Sequence, residues 1–351
     1  EGLLQTMTDG KGQVHSLTYD SLGRLTRDTD PATGFKTLAR TELTTGWRVA
    51  LSTAVGRTTT YQVESLSNGD LKRTNTDPSG LVTTTTVQTN GTNTIAAPDG
   101  TVTTQVETGD PRWSMIAPLL NSLMVQTPGG LTSTLSTTRA VTLTNPADPL
   151  SLASQTDTLL INGRSYTSTY TQATRLLSTT TPANRTSAVT LDAKGRVIQE
   201  QVTGLEAVSY TYDALGRLST ITQGSGADAR TSTSAYNSKN ELVSITDPLN
   251  RTVGFAYDLA GRITTQTLPD TRTIGYSYDA NGNVTAITPP GKPAHTFSYT
   301  PVDLEQTYDP PNIGLPTHNT QYTYNLDRQL TLVTRPDGQT LQLGYEPTGG
   351  R

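Results

Sequence analysis

Three histidines, His15, His295 and His318, are the side chains of this 351-residue chain best suited to proton transfer near neutral pH. They lie far apart in sequence, and no HExxH or HxH spacing gathers them toward a metal. There is no cysteine, which excludes disulfides, thiolate catalysis and Cys-based zinc together. No Gly-x-Ser-x-Gly elbow occurs, and no glycine-rich phosphate loop precedes a helix. Glu200 and Glu206 could be nominated for glycosidase work, but nothing makes them a pair. The other prominent carboxylates, Asp20, Asp213, Asp258 and Asp279, each follow a Tyr. Arg24, Arg217 and Arg262 stand four positions after their Asp. That spacing suits turn capping by Asp and surface or inter-strand pairing by Arg. No DxDxDG calcium loop is present. The expected sets of catalytic, cofactor-binding and metal-binding residues are therefore all empty, with no cofactor.

The recurrence itself is the stronger signal. Tyr19-Asp-Ser-Leu-Gly-Arg-Leu, Tyr212-Asp-Ala-Leu-Gly-Arg-Leu, Tyr257-Asp-Leu-Ala-Gly-Arg-Ile, Tyr278-Asp-Ala-Asn-Gly-Asn-Val and Tyr324-Asn-Leu-Asp-Arg-Gln-Leu share one frame. Tyr236 heads a decayed copy, and Leu191-Asp-Ala-Lys-Gly-Arg-Val is a weaker one. The interval between frames, often 21 residues, accommodates two or three short strands and their turns. Second turns such as Asp247-Pro-Leu-Asn, Pro269-Asp-Thr-Arg and Pro336-Asp-Gly-Gln fall between them. Alternation puts Tyr276 and Tyr278 on one face, as it does Phe255 with Tyr257 and Tyr322 with Tyr324. The pattern predicts an all-β fold of stacked antiparallel hairpins. The tyrosines would form ladders with their hydroxyls at water.

Composition agrees. Hydrophobic residues are 32% and charged residues 16%, while threonine, with 70 copies, supplies about one residue in five. Threonine favours strands and tolerates partial burial, so low hydrophobicity here does not imply disorder. The net charge of −4 and scattered Arg and Lys argue against nucleic acid as a partner. No stretch is long enough to span a bilayer as a helix. Both ends look cut from something longer.

Residues 1–351 read as one continuous repeat fragment. Degenerate repeats occupy 1–110 and 125–190, and the clearest repeats 191–288. The apolar segment 111–124, divided by Pro118, breaks the pattern and is expected as a loop packed on the sheet. A Pro-rich insertion at 289–320 precedes the last repeat, 321–346.

The frame at Tyr212–Leu218 and Tyr257–Ile263, with its Gly-Asn variant at Tyr278–Val284, resembles the YD repeat of the RHS family. The resemblance is strong over 191–346, clear at 17–25 and faint between. It implies a β-sheet spiral that winds into a curved wall or partial hollow shell. In bacterial toxins of that family the shell encloses a C-terminal toxin domain, and the animal teneurins carry it in an adhesion protein. No Arg-Tyr-Tyr stretch of the family's cleavage segment is present, and Asp77-Pro-Ser-Gly80 lies among ordinary turns. The resemblance thus implies a non-catalytic structural wall segment, secreted or at a bacterial cell surface. Its expected partners are the remainder of its parent shell and an encapsulated C-terminal toxin, with edge-to-edge self-association through open strand edges. Two alternatives stand beside it: an extracellular glycan- or protein-binding adhesion module using 111–124 and 289–320 as contact loops, and a polysaccharide-acting enzyme on a β-spiral scaffold.

Overall fold

The computed structural model describes residues 2–311 and 318–346. Among them are thirty β-strands and one short 3-10 turn, Gly226–Asp228. The chain divides into two compact units. The first holds Glu1–Glu64, Arg73–Val82 and Val253–Arg351, and the second Ser65–Lys72 and Thr83–Thr252.

Each unit is built the same way, as antiparallel strands paired with their sequence neighbours. In the first unit Thr6–Thr8 pairs with Val14–Tyr19, which pairs with Leu25–Thr29, which pairs with Phe35–Leu43. The pattern returns from Thr252–Tyr257 to Thr340–Gln342. In the second unit a ladder runs from Thr92–Ala96 to Leu242–Thr246. The all-β hairpin expectation is what the chain adopts.

The frame read from the sequence is a cross-strand pair. Tyr19 faces Leu25, Tyr212 faces Leu218, Tyr257 faces Ile263 and Tyr278 faces Val284. In each case the register slips just before the Tyr, as a β-bulge does when it twists a hairpin locally.

Alternation leaves two unlike faces. Tyr210 and Tyr212 flank Thr211, whose hydroxyl bonds Thr220 across the strand at 2.7 Å. Phe297 and Tyr299 flank Ser298, bonded to Thr307 at 2.6 Å. Thr222 and Thr231 meet at 2.9 Å. One face is thus aromatic and aliphatic, the other a field of paired hydroxyls. No hydrophobic side chain among the described residues is buried, and the accessible surface is 21586 Å². Among the described residues neither unit therefore holds a hydrocarbon core.

The segment 111–124, expected as a loop, is instead a three-residue turn and most of a long strand, Ser114–Gln126, paired with Val102–Asp110 and Thr132–Leu143. Pro118 is accommodated because the ladder is irregular between Asp110↔Ser114 and Thr108↔Leu119 and leaves that position without a registered partner. The Pro-rich stretch 289–320 contains an ordinary hairpin of His295–Tyr299 and Glu305–Asp309. Its residues 312–317 lie outside the described residues.

Candidate functional site

The Tyr-Asp turn closes on itself before it touches anything else. Asp213 Oδ1 accepts the amides of Leu215 and Arg217, both at 2.9 Å, while Oδ2 accepts Arg217 Nε at 2.7 Å. Gly216 takes φ +84°, a conformation glycine enters without a Cβ penalty. Asp20 with Arg24, Asp192 with Arg196 and Asp258 with Arg262 repeat this closure. At Asn237 the polarity is reversed: its Nδ2 donates to Glu241 Oε2 at 2.7 Å. Asn325 and Gln329 do the same with neutral groups at 2.9 Å.

Each repeat then grips the next. The Tyr212 hydroxyl donates to Val197 O at 2.7 Å, Tyr278 to Ile263 O at 2.7 Å and Tyr299 to Val284 O at 2.8 Å. This corrects the expectation that these hydroxyls face water. The ring spans the sheet surface to the preceding hairpin, where a backbone carbonyl still has a lone pair to offer. Arginine supplies the return contact. Arg196 lies over the Tyr212 ring at 4.3 Å, Arg217 over Tyr236 at 4.5 Å and Arg262 over Tyr278 at 4.7 Å. Arg262 Nη1 also donates to Asp279 O at 2.9 Å, and Arg217 Nη1 to Asn240 Oδ1 at 2.8 Å. So the arginine does more than pair on the surface: it ties its own turn to the ring and turn of the following repeat.

In the first unit turns far apart in sequence also meet. Lys11 Nζ lies 2.8 Å from Asp303 Oδ1 and 3.3 Å from Asp279 Oδ2. Asn281 accepts the Lys11 amide at 3.0 Å and donates to Asp9 Oδ2 at 2.6 Å. Asp327 accepts the Thr53 hydroxyl at 2.6 Å and pairs with Arg57 at 3.3 Å, both side chains being nearly buried. Arg57 also donates to Gln329 at 2.6 Å, and Arg328 to Asp30 at 3.1 Å. A Cβ on Gly10 would sit 2.5 Å from Ala280 O, so glycine is needed for this approach. Together these form a seam of turn against turn. Beside it lies a cavity of about 510 Å³ whose lining includes Asp28, Asp30, Phe35, Arg57, Asp327 and Arg328. The hydrogen bond from Lys11 holds the Asp303 carboxyl below its ordinary range, and Asp303 in turn raises the Lys11 ammonium. The Asn281 hydrogen bond likewise lowers Asp9.

The residues weighed for chemistry do not converge. His15 lines the cavity, 3.9 Å from Asp28. His295 bonds the Tyr308 hydroxyl at 2.7 Å and stacks on its ring, while His318 lies 3.0 Å from the adjacent Asp309. Glu200 accepts the Tyr210 hydroxyl at 3.0 Å. Among the described residues no group of three or more His, Asp or Glu could hold a metal ion. Asp77 caps its own turn through the amides of Ser79 and Leu81, both at 2.9 Å, as the neighbouring turns do. The seam was missed from sequence altogether.

Comparison with known proteins agrees with this architecture. No curated protein sequence matches. Among solved structures, the chain is similar to one in a TcdB2-TccC3-Cdc42 crystal structure, at 13% identity and a TM-score of 0.50, covering 98% of this chain and 23% of that one. A TcdB2-TccC3 structure without its hypervariable C-terminal region matches at 12% identity and 0.49, covering 98% and 22%. The chain thus spans less than a quarter of those proteins, and the likeness concerns fold alone. The family model described as Teneurin YD-shell matches residues 1–351. With its tyrosine-braced, Asp-closed hairpins matched end to end, this chain belongs to the Teneurin YD-shell family.

Proposed function

We propose that residues 1–351 form one continuous, non-catalytic stretch of wall in a YD shell that encloses or presents a toxin or effector domain. The parent protein is secreted or displayed at a bacterial surface. Its partners are the rest of the shell and the enclosed domain. The observation that carries this is the division of labour between the two faces. Tyrosine hydroxyls, arginines and turns brace repeat to repeat on one side, while the other presents paired hydroxyls such as Thr211–Thr220 and Ser298–Thr307. A hydroxyl lining offers a loosely folded cargo few apolar contacts to stick to. Family membership and the fold shared with TcdB2-TccC3 support the same reading.

Residues 1–351 contain no cysteine, so with any cysteine elsewhere in the parent replaced, single thiols placed here report cleanly. In the full-length parent protein, Thr211→Cys and Thr323→Cys should react with a small maleimide but resist a polymer-linked one. Equal reaction with both reagents would sink containment and leave an open sheet.

A further inference from the structure

We infer that the third residue of each Tyr-Asp turn selects which turn it meets across the seam, so that the wall carries its own winding register; only the use of that register rests on the wall reading. The two tyrosine-headed seam turns with a polar third residue, after Tyr278 and Tyr324, behave alike. Asn281 accepts the amide of Lys11, the third residue of the facing turn, and bonds Asp9, its first residue. Asp327 accepts the amide of Val55, again a third residue, at 3.4 Å, and bonds Thr53, again a first residue. The sequence separations nearly coincide, 270 and 272 residues for the amide contacts, 272 and 274 for the side chains.

Donors and acceptors are matched pair by pair. Asn281 offers an N–H to the Asp9 carboxylate, where a second carboxylate would be repelled. Asp327 offers only oxygens, and it faces a hydroxyl and the Arg57 guanidinium. Turns elsewhere in the chain hold Leu22 and Leu215 in this third position, exposed at 74% and 72%. Those side chains can make neither bond, yet their turns close normally through Asp20 and Asp213. The third side chain is therefore free of the hairpin's own folding and available for recognition. Its partner is a turn with an outward third amide and a polar first side chain.

Because leucine is native to this position in other turns, Asn281→Leu with Asp327→Leu should spare the hairpins and open the seam. Spin labels on Val14→Cys and Ser277→Cys, the first exposed at 47%, would report the separation of the two segments. We expect one narrow distance in the parent, a longer and broader distribution in the double leucine variant, and no change in Leu22→Asn. An unchanged distance in the double variant, or an equal change in Leu22→Asn, would overturn the inference. If the leucine pair does not fold, Asn281→Asp serves instead: it should widen the distance by setting a carboxylate against Asp9 and Asp303, and adding Asp9→Asn should narrow it part of the way by restoring a donor. Failure of that rescue would also overturn it. Cargo plays no part in this readout, so a closed seam with a fully accessible hydroxyl face would count against containment alone.

Discussion

Replacing Arg262 by methionine tests whether arginine couples successive repeats. Its Nη1 donates to Asp279 O at 2.9 Å, and its guanidinium lies 4.7 Å from the Tyr278 ring centroid. A charged donor to a shielded carbonyl contributes about 1.5–3 kcal/mol. A third of the Arg262 side chain remains exposed, which reduces the bond to about 1 kcal/mol. The ring contact adds about 0.5–1 kcal/mol. The pair with Asp258 faces water and is left out of the sum. Arg262→Met, which keeps the apolar stem, should therefore destabilise the junction by about 2 kcal/mol. In a repeat array stability is close to a sum of repeat and neighbour-interface contributions, so the loss should be local. Native-state hydrogen exchange is the suitable assay: amides of Thr273–Tyr278 and Val284–Thr288 should exchange faster, and those of Leu330–Thr334 should not. A double-mutant cycle with Tyr278→Leu isolates the ring contact, with an expected coupling of about 0.5–1 kcal/mol. Additivity within about 0.3 kcal/mol would refute the brace.

Three further outcomes follow from the same contacts. Gly10→Ala would drive a Cβ into the Ala280 carbonyl and should cost about 1–3 kcal/mol while widening the seam, whereas Gly12→Ala, with φ +81° and open space around it, should strain its hairpin by about 1–2 kcal/mol and leave the Val14–Ser277 distance alone. The seam should respond to pH at both extremes. Asp303 and Asp9 have lowered pKa values in the folded state, so their contribution is complete above about pH 4 and is lost as the pH falls through the folded values, while Lys11, raised by Asp303, contributes below about pH 10 and loses its share above. The label distance should then stay constant from about pH 5 to 9 and lengthen in acid. In the second unit, Arg139→Met would strand the Asp110 carboxylate, whose side chain is 2% exposed and bonded to Arg139 at 2.9 Å. A deeply buried broken pair costs about 3–5 kcal/mol, but the lack of a hydrocarbon core leaves water close by, so about 2 kcal/mol is expected in urea denaturation.

The hairpins were legible because their signals are local. Tyr278 and Val284 stand six residues apart in sequence and face each other across the strands, and Asp258 caps amides two and four positions on. The hydroxyl targets were not legible. Val197, Leu218 and Ile263 receive tyrosine through their carbonyls, and every residue has one, so no side chain marks the acceptor. Segment 111–124 misled for a related reason. Pro118 and a run of apolar residues read as a break, yet an irregular ladder seats a proline without losing a registered bond.

The seam was invisible for a different reason, which also explains how it can exist. The turn is closed by its first residue, whose side chain accepts the third and fifth amides, as at Asp213, Asp258 and Asp77, and the fifth side chain is often matched to it. Asp258 with Arg262, Asn325 with Gln329 and Asn237 with Glu241 are such matches: an ion pair, a neutral pair and an amide donating to a carboxylate. Since closure uses only the amide of the third residue, its side chain is released from local duty. It can be leucine at 22 and 215, asparagine at 281 and aspartate at 327 without altering the hairpin. A repeat frame shows what its copies share, and a contact between windings depends on where they differ. Selection acting on the seam would then write itself into a turn position that a search for the repeat treats as noise.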